Sequence, residues 1–176
     1  GNCGSDPGDP PVRVIIDIET DGFIENVKNI WSIVVRDADT GNIIASTCPE
    51  TGHRVSFGFI YQADEVIGHN IIRFDLPILE KFGCRPNPLC KITDTLVCCR
   101  VCWPDIRNDD YKNTGFPKEL VGSHSLKAWG YRLGMLKDGF GDSADWSFWS
   151  PQMQEYCEQD TAVTLALYRH ILKQGL

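Results

Sequence analysis

Val12-Arg13-Val14-Ile15-Ile16-Asp17-Ile18-Glu19-Thr20 is an apolar run that ends in acids. Its β-branched residues read as a central strand buried on both faces. The period-two alternation of a strand then turns Asp17 and Glu19 to the same side of the sheet, neighbours at one strand end. Burial would ordinarily forbid a carboxylate in either place.

Two later patches repeat the anomaly on helices. In Asn70-Ile71-Ile72-Arg73-Phe74-Asp75 the final acid shares a helical stripe with Ile78, Leu79 and Phe82, so it points toward the core. Near the C-terminus, Tyr156-Cys157-Glu158-Gln159-Asp160 opens another stripe, formed by Tyr156, Asp160, Val163, Leu167 and Ile171. A buried carboxylate without a partner either takes up a proton or destabilises the fold, and clustering makes each one harder to ionise. A cation is therefore expected among Asp17, Glu19, Asp75 and Asp160. Carboxylates are hard oxygen donors and no His or Cys is expected in the set, which points to Mg2+ or Mn2+ rather than zinc.

Taken in order, these patches resemble the three motifs of the DEDD, or DnaQ-like, 3′-5′ exonucleases: DxE, Nx3FD and YxxxD. Tyr156, four positions before Asp160, resembles the DEDDy branch; the DEDDh branch has a His five positions before that Asp, where this chain has Glu155. Ile92-Thr93-Asp94-Thr95-Leu96 and residues 122–134 are similar to the proofreading domain of small-phage family A DNA polymerases. The resemblance covers roughly residues 12–174. It implies an α/β, ribonuclease H-like three-layer fold with a mixed central sheet. It also implies a 3′-5′ exonuclease that hydrolyses phosphodiester bonds from the 3′ ends of DNA, as a proofreading module in DNA replication or as a stand-alone trimming nuclease. Two ions, Mg2+ or Mn2+, would be held: Asp17 bridging both, Glu19 and Asp160 on the one carrying the water, Asp75 on the second largely through water. Tyr156 would orient that water. RNase D-like exoribonucleases share these motifs. A catalytically silent binding or scaffold domain predicts a lost acid, and none is missing.

Five further residues are candidates for substrate binding. Thr20 would hold the 3′-terminal nucleotide, although a turn-forming threonine accounts for it too. Asn70 would tie down the strand-to-helix turn that positions Asp75. His124 would contact a phosphate or make local hydrogen bonds at a helix start, and Lys127 and Arg132 would guide the strand together with a loop over residues 104–121. Asp94 reads as a helix N-cap rather than a metal ligand.

With 176 residues, 42% hydrophobic and 23% charged, the chain suits one globular domain. Residues 1–11, rich in Gly, Pro and Asp, read as a disordered tail, with the exonuclease domain over residues 12–176. No apolar stretch of roughly 18 residues exists, so no membrane span is expected and the cytoplasm of a bacterial or phage-infected cell is the expected location. The sequence stops just after the last motif's helix, which suits a separate exonuclease or an excised domain, with any polymerase partner on another chain or removed. A net charge of −7 disfavours an extensive phosphate-binding surface. The expected partner is therefore DNA with a single-stranded or frayed 3′ end, gripped over a small footprint by Arg73, Lys112, Lys118, Lys127 and Arg132.

Among eight cysteines, Cys98, Cys99 and Cys102 include one CxxC, with Cys84 and Cys90 upstream. Without a second CxxC the pattern falls short of a zinc site, and small buried thiols are expected. Strands are predicted at residues 13–19, 30–37, 43–47, 65–69 and 91–93. Helices are predicted at residues 74–82, from Asp94 to near Trp103, after a Ser123 or Ser125 cap, and after Ser150 with Pro151 in first position. Residues 134–145 read as an irregular Gly/Asp/Ser-rich stretch. Residues 49–65 hold only a brief helical run at 57–63, so the longer helix usual for the family at this place is not expected.

Overall fold

β1 (Arg13–Thr20) is a central strand in which Val14, Ile15 and Ile16 are almost inaccessible. The computed structural model describes residues 8–135 and 144–176. β2 (Ile30–Asp37) pairs antiparallel with β1, placing Asp17 opposite Val34 and Glu19 opposite Ser32, and a bulge between Glu19 and Thr20 interrupts the regular ladder. β3 (Ile43–Thr47) folds back antiparallel on β2. The turn between them uses Gly41 at φ 78°, a left-handed conformation that glycine adopts without a Cβ clash. On the other side, β4 (Glu65–Gly68) runs parallel to β1 and β5 (Lys91–Asp94) parallel to β4. The five-stranded sheet is mixed, in the order β3-β2-β1-β4-β5.

Six α-helices are described: α1 (Arg54–Gln62), α2 (Asp75–Lys81), α3 (Thr95–Cys102), α4 (Ile106–Lys112), α5 (Leu126–Arg132) and α6 (Pro151–Leu172). Strand alternation divides them into two layers. Val14, Ile16, Ile18 and Val66 pack toward Ile60 of α1 and Ile78 and Leu79 of α2. Ile15 and Ile67 point the other way, to Leu165 and Tyr168 of α6. Outside them, Cys99, Ile106 and Trp129 join α3, α4 and α5 to Leu167 and Ile171 of α6. The result is the three-layer α/β arrangement with a mixed sheet that the sequence predicts.

Two local expectations are corrected. Residues 49–65 contain the full helix α1 despite Gly52 and Gly58, because Ser56 and Ile60 bury one face. Residues 104–121 are not simply a loop: they form α4 and a short 3-10 turn, Lys118–Leu120. α4 reads as polar because only Ile106 and Asp110 turn inward, so its stability comes from tertiary contacts rather than from its own propensity. Residues 1–7 of the expected tail and most of the 134–145 stretch lie outside the described residues. Among the described residues no helix is long and apolar enough to cross a membrane.

From β1 the chain moves to β2 on one side, and from β4 to β5 on the other. The carboxyl ends of these two parallel neighbours therefore flank a topological switch point, where open α/β sheets form ligand crevices.

Candidate active site

Asp17 and Glu19 share the face of Ile15, toward α6. That helix starts where Ser150 accepts a hydrogen bond from Met153 N–H, with Pro151 pre-set for the first turn. Its height over the sheet is fixed by Arg36 on β2. The guanidinium donates to Thr161 Oγ1 at 3.0 Å, to the Glu158 carbonyl at 3.1 Å and to the Gly41 carbonyl at 2.7 Å. The Ser46 hydroxyl donates to Glu158 Oε1 at 2.6 Å, and Gln154 Nε2 donates to Ser46 Oγ at 2.8 Å. Tyr156 and Asp160, one helical turn apart, are thereby aimed at the acids of β1. Sequence reasoning missed Arg36; the only signal was a single cation following the apolar run of the strand, just before Asp37.

The β4–α2 turn sets Asp75. A Cβ on Gly68 would lie 2.2 Å from Ile71 Cγ2 and 3.1 Å from the Ile16 carbonyl, so only glycine fits. Asn70 follows at φ 62°, a conformation asparagine tolerates better than most residues. The buried Asp94 carboxylate accepts from the N–H groups of Asn70 at 2.9 Å, Ile72 at 3.1 Å and Leu96 at 3.0 Å. Asp94 thus caps α3 as predicted and also clamps the turn, a second task the sequence did not reveal. Asn70 contributes its backbone to this clamp.

Asp17, Glu19, Asp75, Tyr156 and Asp160 line one cavity of about 270 Å³ with Asn70, Phe74 and Trp146. Asp75 is only 3% exposed and Asp160 only 7%. Burial pushes the Asp75 carboxyl well above the usual carboxylate range; the Ile18 N–H partly offsets this, and the charges of Asp94 and Asp160 add to it. Its Oδ2 is buried with no hydrogen-bond partner. An orphaned carboxylate oxygen among further carboxylates fits a hard divalent cation, the group the sequence calls for.

Cys157 stands beside the acids of β1. Its Sγ, Asp17 and Glu19 offer ligand atoms all within 4.8 Å of one another, and the thiol donates to the Asp17 carbonyl and Oδ2, each at 3.4 Å. Burial, reinforced by Asp17, Glu19 and Asp160, raises its pKa well above that of an ordinary thiol. It is therefore a neutral donor that orients Asp17. The remaining described cysteines are free, without a disulfide among them.

The substrate-binding candidates diverge. Thr20 is buried and its hydroxyl donates to the Gly22 carbonyl at 2.7 Å, the turn-forming alternative. His124 stacks near Trp129 and lines a neighbouring cavity, and Lys127 is exposed on α5. Arg132 is a correction. Its side chain is 9% exposed and binds Asp110 through two bonds of 2.9 and 2.8 Å, with its guanidinium 4.7 Å from the Trp129 ring centre. It joins α4 to α5 instead of reaching substrate.

This mixed sheet, with acids at the ends of its central strands and on flanking helices, defines a DnaQ-like 3′-5′ exonuclease fold of the RNase H-like class. The DNA-directed DNA polymerase of Escherichia phage T7 is 25% identical over an alignment of 187 positions that covers 90% of this chain and 26% of the polymerase. The chain thus corresponds to about a quarter of that curated relative. Among solved structures, Brucella melitensis NrnC matches with a TM-score of 0.62 and 18% identity, over 93% of this chain and 73% of its own. NrnC has also been solved with bound Mg2+. Escherichia coli RNase D, an exoribonuclease involved in structured RNA processing, matches with a TM-score of 0.59 and 16% identity, over 92% of this chain and 39% of its own. No family model matches the sequence.

Proposed function

We propose that this chain is a metal-dependent exonuclease that removes nucleotides from the 3′ ends of DNA. The observation that carries this reading is the convergence of Asp17, Glu19, Asp75, Asp160 and Tyr156 on one cavity, with a buried Asp75 oxygen lacking any partner. Asp17, Glu19, Asp75 and Asp160 would hold two Mg2+ or Mn2+ ions, which supply an activated water and stabilise the leaving 3′ oxygen. Tyr156, one helical turn from Asp160 and lining the same cavity, would orient the attacking water. Cys157 holds Asp17 by its thiol donor, and Arg36 fixes the helix from which Tyr156 and Asp160 project. The likeness to a phage DNA polymerase over 90% of the chain supports DNA as the substrate and a proofreading or end-trimming role.

Oligonucleotides of DNA and RNA, labelled at the 5′ end and supplied with Mg2+ or Mn2+, test the proposal. A descending ladder on DNA, abolished by chelator and restored by either metal, is the expected outcome. Activity that persists without metal would refute the site's chemistry, and a ladder on RNA alone would refute the substrate.

A further inference from the structure

Beside the acid cavity lies another of about 520 Å³, whose lining includes Arg100, Ser123, His124 and Ser125. His69, Asn70 and Leu126 line both cavities, so the two share a wall. Their chemistry is opposite. Four carboxylates surround the first, whereas the lining of the second contains no Asp or Glu and carries the Arg100 guanidinium.

Three polar groups there have capacity to spare. Arg100 is exposed on the last turn of α3 and makes no ion pair among the described residues. Ser125 Oγ accepts from Ala128 N–H at 3.2 Å and from the Ser123 hydroxyl at 3.0 Å, leaving its own hydrogen to donate. His124 Nδ1 is buried without a hydrogen-bond partner. Burial, then the charges of Arg132 and Arg100, hold the His124 imidazole below its ordinary pKa, partly offset by a hydrogen bond to the Trp103 backbone and by Asp110.

Both are open clefts, and the second, at about 520 Å³, lies within the size range of small-ligand sites, which begin at about 300 Å³. We propose that the Arg100 cavity is the subsite for the nucleotide upstream of the cleaved one, with Arg100 and the Ser125 hydroxyl holding the preceding phosphodiester and His124 as a further polar contact. This inference rests on the exonuclease reading and adds a direction to it: the strand leaves the acids past His69 and Leu126 toward α3. A dinucleotide places its single phosphodiester at the acids and its upstream nucleoside in the second cavity, with no phosphate for Arg100; longer strands add that phosphate.

Isothermal titration calorimetry separates the two. Unlabelled octathymidylate and dithymidylate with hydrolysis-resistant phosphorothioate linkages are titrated into the full chain in Mg2+. Arg100→Ala should weaken octathymidylate binding about three- to fivefold, the scale of an exposed ion pair, and leave dithymidylate within error. The slope of log K against log salt for octathymidylate should fall by about 0.7, one single-strand phosphate. Arg100→Lys, which keeps the charge, should restore most of the affinity. Unchanged octathymidylate binding, or equal weakening of both ligands, would overturn the subsite. A wild-type chain that cuts no oligonucleotide would refute the exonuclease reading instead, and the calorimetric comparison would still decide whether Arg100 binds phosphate.

Discussion

Asp75 sits where its own carboxylate is least welcome, at 3% exposure with one oxygen unpartnered and two further acids in its field. Without metal that arrangement opposes folding; with metal it would become a ligand set. Asp75→Asn removes the charge, keeps the shape and retains an oxygen for the Ile18 N–H. It should raise the melting temperature of the chelator-treated protein at neutral pH while abolishing cleavage, a pairing that thermal melts and a nuclease assay read independently. Asp17→Ala should likewise abolish cleavage, since Asp17 faces Glu19, Cys157 and the cavity together. Tyr156→Phe differs because only a hydroxyl that positions water is lost. A residual rate should survive, lower by about 10²- to 10⁴-fold, the range over which positioned proton-handling groups act. Cleavage by Asp17→Ala at near-normal rates would show the site to be misplaced.

At the scale of elements, periodicity and caps account for what the sequence disclosed. β1 to β3 were legible because apolar β-branched runs alternate with a turn between them, and α6 because Ser150-Pro151 marks its start. Short helices were not. α1 is interrupted by glycine and α4 is polar on most of its surface, so each is fixed by a few inward residues that no local pattern reveals. Arg132 was misread for the same reason: Asp110 lies 22 residues away, and only the fold brings the pair together. Cys157 was overlooked because its neighbours come from β1, across the layer. The Asp110–Arg132 pair should behave as a structural tie. Asp110→Ala leaves a buried guanidinium uncompensated and should destabilise the protein by about 3–5 kcal/mol. Burial alone would raise the Asp110 pKa, but Arg132 and the Gly122 N–H hold it below the ordinary carboxylate value. Its stabilisation is therefore present at neutral pH and disappears as pH falls from the unfolded-state value, about 3.9, through the lower folded value. Denaturant melts of wild type and Asp110→Ala should converge across that acidic window.

For the whole molecule, the central quantity is a net charge of −7 on a chain whose proposed substrate is a polyanion. Bound divalent ions would neutralise the acid cavity, leaving Arg100 and a few exposed lysines to meet the backbone. Duplex DNA would bring a second phosphate strand against a chain of net charge −7. If the chain acts as proposed, a paired 3′ end would fray before its terminal phosphodiester reaches the acids, and fraying is least costly at a mismatch. Initial rates measured at one salt concentration on the same 3′ sequence should rank single strand first, mismatched duplex end next and blunt paired end last. Binding should weaken with salt along a shallow slope of about −0.7 per contacted phosphate, because few phosphates are held. Equal rates on blunt duplex and single strand would overturn this picture, since they would require a duplex-gripping surface on a chain of net charge −7.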